Sequence, residues 1–164
     1  MFSDDLLALA ENVLEAARKA RVKIAIAESC TGGLIAGLLT EIPGSSDVLD
    51  RGFITYSNAS KEKMLGVSRA LLEAHGAVSE AVARAMAEGA VRNSDAQVAV
   101  AVTGIAGPDG GTAKKPVGLV HVAVAHAGQE SLHKELRLGE IGRSTVRMKS
   151  VEDALKLLLR VIPG

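Results

Sequence analysis

Residues 22–33 read VKIAIAESCTGG, and this stretch decides the fold of the 164-residue chain. Residues 22–27 are apolar apart from Lys23, and such a short run predicts a β-strand that is buried on both faces. The polar segment 28–33 follows directly, and apolar residues then return at helical spacing as far as Pro43. A buried strand that passes through a tight polar turn into a helix is typical of an α/β fold.

The remaining chain continues the alternation of strands and helices. Alternating or continuous apolar runs predict strands at 53–57, 97–102, 119–125 and 132–138. The three-to-four-residue period predicts helices at 6–17, 34–42, 58–65, 71–75 and 80–92, and a last helix whose apolar face extends over 148–162. Residues 126–131 are short enough for a hairpin between the last two strands. We therefore expect helices covering a sheet that is not wholly parallel.

Composition excludes several classes of function. Nineteen basic and nineteen acidic residues cancel, and the only aromatic residues are Phe2, Phe53 and Tyr56, so nucleic acid is not an expected partner. No apolar run reaches the length of a membrane span, and the acidic first helix does not resemble a targeting peptide. We expect a single cytoplasmic domain over residues 1–164.

The sequence gives no indication of a metal or a disulfide. The four histidines lack acidic or cysteine partners at ligand spacing, so we expect no metal site and no metal cofactor. Cys30 is the only cysteine, and the expected role of its side chain is that of a small buried apolar group.

The first candidate site is the segment 28–33, between the first strand and its helix. Binding sites in open α/β sheets gather at the carboxyl ends of strands. A hydroxyl on Ser29 would lie beside the free amides of a helix N-terminus, which suits the stabilisation of an oxyanion. Alternatively, Ser29 or Thr31 only caps the helix, and Gly32 and Gly33 only allow close packing.

The second candidate site is the segment 56–61, YSNASK. Lys61 could act as a general base toward a serine if burial or a neighbouring cation lowered its pKa, and Tyr56 could relay a proton. Alternatively, Lys61 is one of several solvated lysines on a surface helix.

The third candidate site is the glycine-rich stretch 103–118, in which we expect a long loop. Backbone amides in such loops bind phosphate or carboxylate, although the stretch matches neither the phosphate-loop nor the dinucleotide pattern. An ordinary long connection is the alternative. Arg143 and Arg147 lie one turn apart at the start of the last helix, where they would hold an anion or point into solvent.

Together these segments resemble the C-terminal domain of the competence-damage-inducible CinA proteins, a family with stand-alone nicotinamide-nucleotide amidohydrolases. The matching stretches are AESCTGG (27–33), PGSS (43–46), YSNASK (56–61), GAVS (76–79), TGIAGP (103–108) and KPVG (115–118). The family carries arginines after a Gly-Asp-Arg segment, where this chain reads GEIGR at 139–143.

The resemblance implies a three-layer α/β/α sandwich on a mixed, mainly parallel sheet of about five strands. It also implies a cofactor-free homodimer that hydrolyses the carboxamide of nicotinamide mononucleotide to nicotinate mononucleotide and ammonia. Ser29 would be the nucleophile, Lys61 its base and Tyr56 part of the proton relay. The residues expected to bind substrate are Thr31, Gly32, Gly33, Asn58, Thr103, Gly104, Gly107 and Arg143, with the amides of residues 31–33 as oxyanion donors.

Two other functions remain open from the sequence. The chain could be a catalytically silent module that binds a nucleotide, or an amidase or esterase for a different small substrate. Release of ammonia from a panel of pyridine nucleotides would distinguish these hypotheses.

Overall fold

In the computed structural model, which describes residues 1–163, a five-stranded sheet lies between two layers of helices. The strands are β1 (Ile24–Glu28), β2 (Leu49–Ile54), β3 (Val98–Gly104), β4 (Leu119–His126) and β5 (Leu132–Arg137). The helices are α1 (Asp4–Ala20), α2 (Leu34–Thr40), α3 (Asn58–Leu65), α4 (Arg69–His75), α5 (Glu80–Arg92) and α6 (Arg143–Val161). The predicted α/β/α sandwich is confirmed.

The order of strands across the sheet is β2-β1-β3-β4-β5. β1 runs parallel to β2 and β3, whereas β4 is antiparallel to both β3 and β5. Only β4 is therefore reversed, and the prediction of a mixed, mainly parallel sheet with a terminal hairpin is confirmed.

The two faces of the sheet carry side chains of different size. Ile24 and Ile26 of β1 pack with α1, α2 and α6, while Ala25 and Ala27 face α3, α4 and α5. Because side chains alternate across a strand, one sequence of alternating large and small residues serves both layers. The central strands are buried on both faces, as predicted for residues 22–27.

Two predicted boundaries were wrong. The second strand is Leu49–Ile54 rather than 53–57, because Ser57 is already committed to capping α3. β3 continues through Thr103 and Gly104, so the glycine-rich loop begins at residue 105. Gly104 continues the strand and pairs with Val120 of β4. A Cβ at this position would lie 2.7 Å from a methyl carbon of Val120, so the absence of a side chain permits this close pairing.

Within residues 1–163, no helix is both long and apolar enough to cross a bilayer.

The contact between α3 and α5 generates a prediction about stability. A Cβ on Gly89 would lie 2.1 Å from the carbonyl oxygen of Leu65, so Gly89→Ala must push the two helices apart. We expect a loss of about 1–3 kcal/mol in the free energy of unfolding, measured by urea denaturation.

Gly37 in α2 provides the matched control. The nearest atom to a Cβ there is 3.9 Å away, on Phe2, so Gly37→Ala adds helix propensity without a clash. That variant should gain up to about 1 kcal/mol. Equal effects of the two substitutions would contradict this account of the α3–α5 contact.

Candidate active site

The turn formed by residues 29–33, here called the Ser29 turn, connects β1 to α2. The amide of Ser29 donates to the carbonyl of Val102 in β3 at 3.0 Å, which fixes the start of the turn to the centre of the sheet. The amide of Gly32 donates back to the carbonyl of Ser29, also at 3.0 Å. Ser29 itself is 8% exposed. The hydroxyl is thus presented by a hydrogen-bonded turn whose first three residues are buried.

The side chain of Glu28, the last residue of β1, reaches the N-terminus of α2. Its buried carboxylate accepts hydrogen bonds from the amides of Gly33, Ile35 and Ala36 at 3.0–3.2 Å. A carboxylate in this place neutralises the partial positive charge of the helix end.

The predicted oxyanion role of Gly32 and Gly33 is therefore wrong for this structure. Both amides already have protein acceptors, so neither donor is free to bind a substrate oxygen. Within residues 1–163, the amide of Thr31 has no such acceptor. Thr31 is fully buried and does not line the cavity beside Ser29, so the structure does not support an oxyanion role for its amide either.

Lys61 lies against Ser29. Its Nζ donates to Ser29 Oγ at 3.0 Å and to the carbonyl oxygen of Thr55 at 2.6 Å, and the carbonyl of Tyr56 is 3.5 Å away. The side chain is 1% exposed, so the alternative of a solvated surface lysine is wrong. Its position depends on the start of α3, where Ser57 and Ser60 form a reciprocal capping box.

Burial lowers the pKa of Lys61 below its ordinary value of 10.5. The cause is loss of hydration, which disfavours the ammonium form. In the part of the chain that the structure describes, no salt bridge includes Lys61. The lysine thus has the two properties required of a general base for Ser29, contact and a depressed pKa.

Tyr56 lies at the edge of the site with 61% of its surface exposed. Its hydroxyl accepts a hydrogen bond from Nη2 of Arg143 at 3.0 Å, whereas its carbonyl, not its hydroxyl, faces Lys61. The structure does not place this hydroxyl in the Ser29–Lys61 hydrogen bond. The prediction that the Tyr56 hydroxyl joins a proton relay with Ser29 and Lys61 is therefore wrong for this geometry.

A cavity of about 270 Å³ opens in front of Ser29 and Lys61. The predicted residues that line it are Ser29, Lys61, Tyr56, Thr103, Gly104, Gly107 and Arg143. The hydroxyl of Thr103 donates to the carbonyl of Ala77 at 2.9 Å, and this bond fixes the segment that precedes α5 to the cavity wall. The structure brings together residues from all three segments that the sequence singled out.

Four predicted substrate-binding residues do not line this cavity: Thr31, Gly32, Gly33 and Asn58. Asn58 is exposed at the first position of α3, where its contribution is to the helix start. Thr31, Gly32 and Gly33 belong to the turn that follows Ser29, and their backbone contacts hold that turn in place.

Ala106, Gly107 and Arg143 add hydrogen-bond donors to the cavity lining. Ala106 and Gly107 are buried, yet within residues 1–163 their amides have no protein acceptor. Nη1 of Arg143 donates to the carbonyl of Gly107 at 2.8 Å, which holds the guanidinium group beside these amides. Free amides beside a guanidinium group favour an anionic ligand.

Sequence reasoning missed the roles of two charged residues. Glu28 was part of the recognised motif, but nothing in the pattern indicated that it caps α2. Arg147 was expected to hold an anion or to be solvated; instead it donates to the carbonyls of Cys30 and Thr31 at 3.0 and 3.2 Å. The only available signal was its spacing of one helical turn from Arg143.

Cys30 follows Ser29 in the chain, but its thiol is not activated. Burial raises the pKa of its thiol to about 11, so it carries a proton at neutral pH. Among the described residues, no cluster of three or more histidine, cysteine or acidic side chains could hold a metal ion.

The fold and the site define an α/β sandwich protein with a buried serine–lysine pair at the carboxyl end of its sheet. Residues 6–162 match the model of the CinA C-terminal domain family. The chain belongs to that family.

Relatives and solved structures agree with this assignment. A CinA-like protein of Anaeromyxobacter sp. (strain Fw109-5) is 48% identical over 163 residues, which are 96% of this chain and 39% of that protein. Another, from Anaeromyxobacter sp. (strain K), is 56% identical over 83% of this chain and 33% of its own length. The chain thus spans between a third and two fifths of these two curated relatives.

Two crystal structures superpose on almost the whole chain. The competence/damage inducible protein CihA from Agrobacterium tumefaciens has a TM-score of 0.95 and 51% identity, with 98% of this chain and 97% of that one covered. A CinA superfamily protein from Escherichia coli has a TM-score of 0.91 and 33% identity, with coverages of 98% and 94%.

The raised pKa of Cys30 leads to a prediction about its reactivity. Because the thiol is buried and protonated, iodoacetamide at neutral pH should alkylate the native protein at least tenfold more slowly than the unfolded protein. Mass spectrometry of the labelled protein, native and in urea, measures both rates. Rapid alkylation of Cys30 in the native protein would show a reactive thiolate and contradict this account.

Proposed function

We propose that the chain hydrolyses the carboxamide of nicotinamide mononucleotide and releases ammonia and nicotinate mononucleotide. The observation that carries the proposal is the 3.0 Å contact between Ser29 Oγ and Lys61 Nζ, with Lys61 buried at the base of a cavity. A serine beside a desolvated lysine is an arrangement that activates the hydroxyl as a nucleophile. The resemblance of the motifs to the nucleotide amidohydrolases supplies the substrate.

In the first half of the reaction, neutral Lys61 takes the hydroxyl proton as Ser29 Oγ bonds to the carboxamide carbon. The resulting ammonium then gives this proton to the nitrogen of the tetrahedral intermediate, and ammonia leaves as the C–N bond breaks. An ester of Ser29 remains. In the second half, Lys61 takes a proton from water as the water oxygen bonds to the ester carbon. The resulting ammonium returns this proton to Ser29 Oγ as the C–Oγ bond breaks, which releases the carboxylic acid and restores neutral Lys61.

The positive pyridinium ring makes the carboxamide carbon more electrophilic. Asp109, which lines the cavity, suits that positive charge. Thr31 is fully buried and does not line the cavity, so its amide is not assigned to the substrate oxygen.

We assign the phosphate of the substrate to the part of the cavity lined by Ala106, Gly107 and Arg143. The two amides have no protein acceptor within residues 1–163, and the guanidinium group is a charged donor, so together they suit an anion. Binding energy at the phosphate is remote from the bond that breaks and serves to orient the carboxamide against Ser29. Tyr56 would then hold Arg143 in place rather than relay a proton.

The first functional prediction concerns the nucleophile. The purified protein should release ammonia from nicotinamide mononucleotide, and chelator should not change the rate. Ser29→Ala should lose at least about 10³-fold in kcat, because the attacking atom is gone. Cys30→Ala, the matched control at the adjacent position, should keep most of the activity. A coupled ammonia assay measures all three proteins.

Each alternative function has its own signature in that assay. Binding of the nucleotide without ammonia release would identify a silent binding module. Loss of activity in Cys30→Ala but not in Ser29→Ala would make the protein a thiol enzyme. Loss in chelator with recovery on adding a divalent ion would overturn the metal-free mechanism.

The second functional prediction concerns the base. Burial lowers the pKa of Lys61, so turnover should rise with pH along a limb whose midpoint lies below 10.5. Lys61→Arg should lose nearly as much activity as Lys61→Ala, because arginine keeps its proton at any working pH. Lys63→Arg, an exposed position on the same helix, is the matched control and should be fully active.

Measuring kcat of these variants across pH 6–10 tests whether Lys61 is the general base. If Lys61→Arg kept more than about a tenth of the wild-type rate, a loss under about 1.4 kcal/mol, lysine would be an electrostatic element only. Some other group would then have to activate Ser29.

A further inference from the structure

We infer that Arg147 is a positioning residue for Ser29, acting from α6 through the backbone of the Ser29 turn. The inference rests on the proposed function for its kinetic consequence. Its structural content, that Arg147 sets the direction of the nucleophile, stands on contacts that do not involve a substrate.

The guanidinium of Arg147 binds two successive carbonyls. Nε donates to Cys30 O at 3.0 Å and Nη2 donates to Thr31 O at 3.2 Å. Within residues 1–163, none of the salt bridges includes Arg147, so the charge is directed to the backbone. Because the guanidinium is planar and rigid, it fixes the two peptide groups relative to each other.

Glu28 holds the other end of the same turn. Its carboxylate accepts the amides of Gly33, Ile35 and Ala36, while Arg147 donates to carbonyls at the turn's beginning. Hydrogen bonds to charged groups are roughly twice as strong as neutral ones. The residues that follow Ser29 are thus clamped by a buried anion on one side and a cation on the other.

The clamp also determines where amides point. In a trans peptide the N–H points opposite to the C=O, so the bond to Cys30 O turns the amide of Thr31 away from Arg147. By the same rule the bond to Thr31 O turns away the amide of Gly32, which reaches the carbonyl of Ser29 at 3.0 Å. Arg147 therefore controls both the direction of the Thr31 amide and the bond that closes the turn on Ser29.

Gly32 leaves room for this contact. Its φ is +57°, and a Cβ there would lie 3.4 Å from Arg147 Nη2. A side chain at this position would be strained by the left-handed backbone conformation. The glycine and the arginine, which are 115 positions apart in the chain, thus lie in contact at the turn.

The test removes the guanidinium and reads the reactivity of Ser29 directly. In Arg147→Met the apolar stem is kept, so packing of α6 is retained while both hydrogen bonds are lost. We expect phosphonylation of Ser29 by a fluorophosphonate probe to slow by at least tenfold, since misplacement of a reacting group by about 1 Å costs up to 10²-fold. Arg160→Met, at an exposed position of the same helix, is the matched control and should react at the wild-type rate.

Two further readouts separate positioning from general loss of structure. With nicotinamide mononucleotide, kcat should fall with the labelling rate while KM changes less than threefold. Ethylguanidinium added to Arg147→Ala should restore part of the labelling rate, whereas the same addition should leave Ser29→Ala unlabelled. Arg147→Lys should show an intermediate loss, because one ammonium group cannot span two carbonyls in the geometry of the fork.

The outcomes are distinct for the two proposals. If the wild-type protein is labelled at Ser29 but does not deamidate the nucleotide, the proposed substrate is wrong and the comparison of labelling rates still tests Arg147. If Arg147→Met and Arg147→Lys both label Ser29 within threefold of the wild-type rate, the positioning role is overturned. Should Arg147→Met fail to fold, Arg147→Lys and the rescue by ethylguanidinium decide.

Discussion

The hydrogen bond between Ser29 and Lys61 joins two segments whose backbones must both be fixed for it to exist. Lys61 is held by the first turn of α3, which starts at the Ser57–Ser60 capping box, while the last residue of that helix, Leu65, packs on α5 at Gly89. Ser29 is held by the bond from its amide to β3 and by the turn that follows. Most of the distinctive features of the chain serve one of these two segments.

Burial of Lys61 has a thermodynamic consequence. Each unit by which a pKa falls in the folded state corresponds to about 1.4 kcal/mol of differential interaction. The folded pKa of Lys61 lies below the unfolded value, so the unfolded chain binds more protons between those two values, and stability rises with pH in that window. Below that window Lys61 is an ammonium ion, and the apolar burial on both faces of the sheet must offset the free-energy cost of removing this charge from water.

The sequence was sufficient for features that depend on local pattern. Periodicity placed the helices and the buried strands, and the position of Ser29 and Lys61 after predicted strands brought them together as candidates. The sequence was insufficient where two local preferences compete. Residues 55–57 favour a strand by composition, but Ser57 caps α3 and so the strand ends before them. The sequence also failed for Arg147 and for the hydroxyl of Tyr56, because their partners depend on how α6 packs across the sheet. Glu28 shows a third limit, since the amides expected to serve a substrate are engaged by an adjacent side chain.

The central claim is that Lys61 can be neutral beside Ser29 while the protein is folded. Nuclear magnetic resonance of side-chain nitrogen-15 in a lysine-labelled sample measures the pKa of each ammonium group directly, with Lys61→Met used to assign the signal. We predict that Lys61 titrates below 10.5, because burial disfavours its ammonium form. A Lys61 signal that titrates at or above 10.5 would contradict the account, since the buried lysine would then be an ammonium ion unable to accept the proton of Ser29.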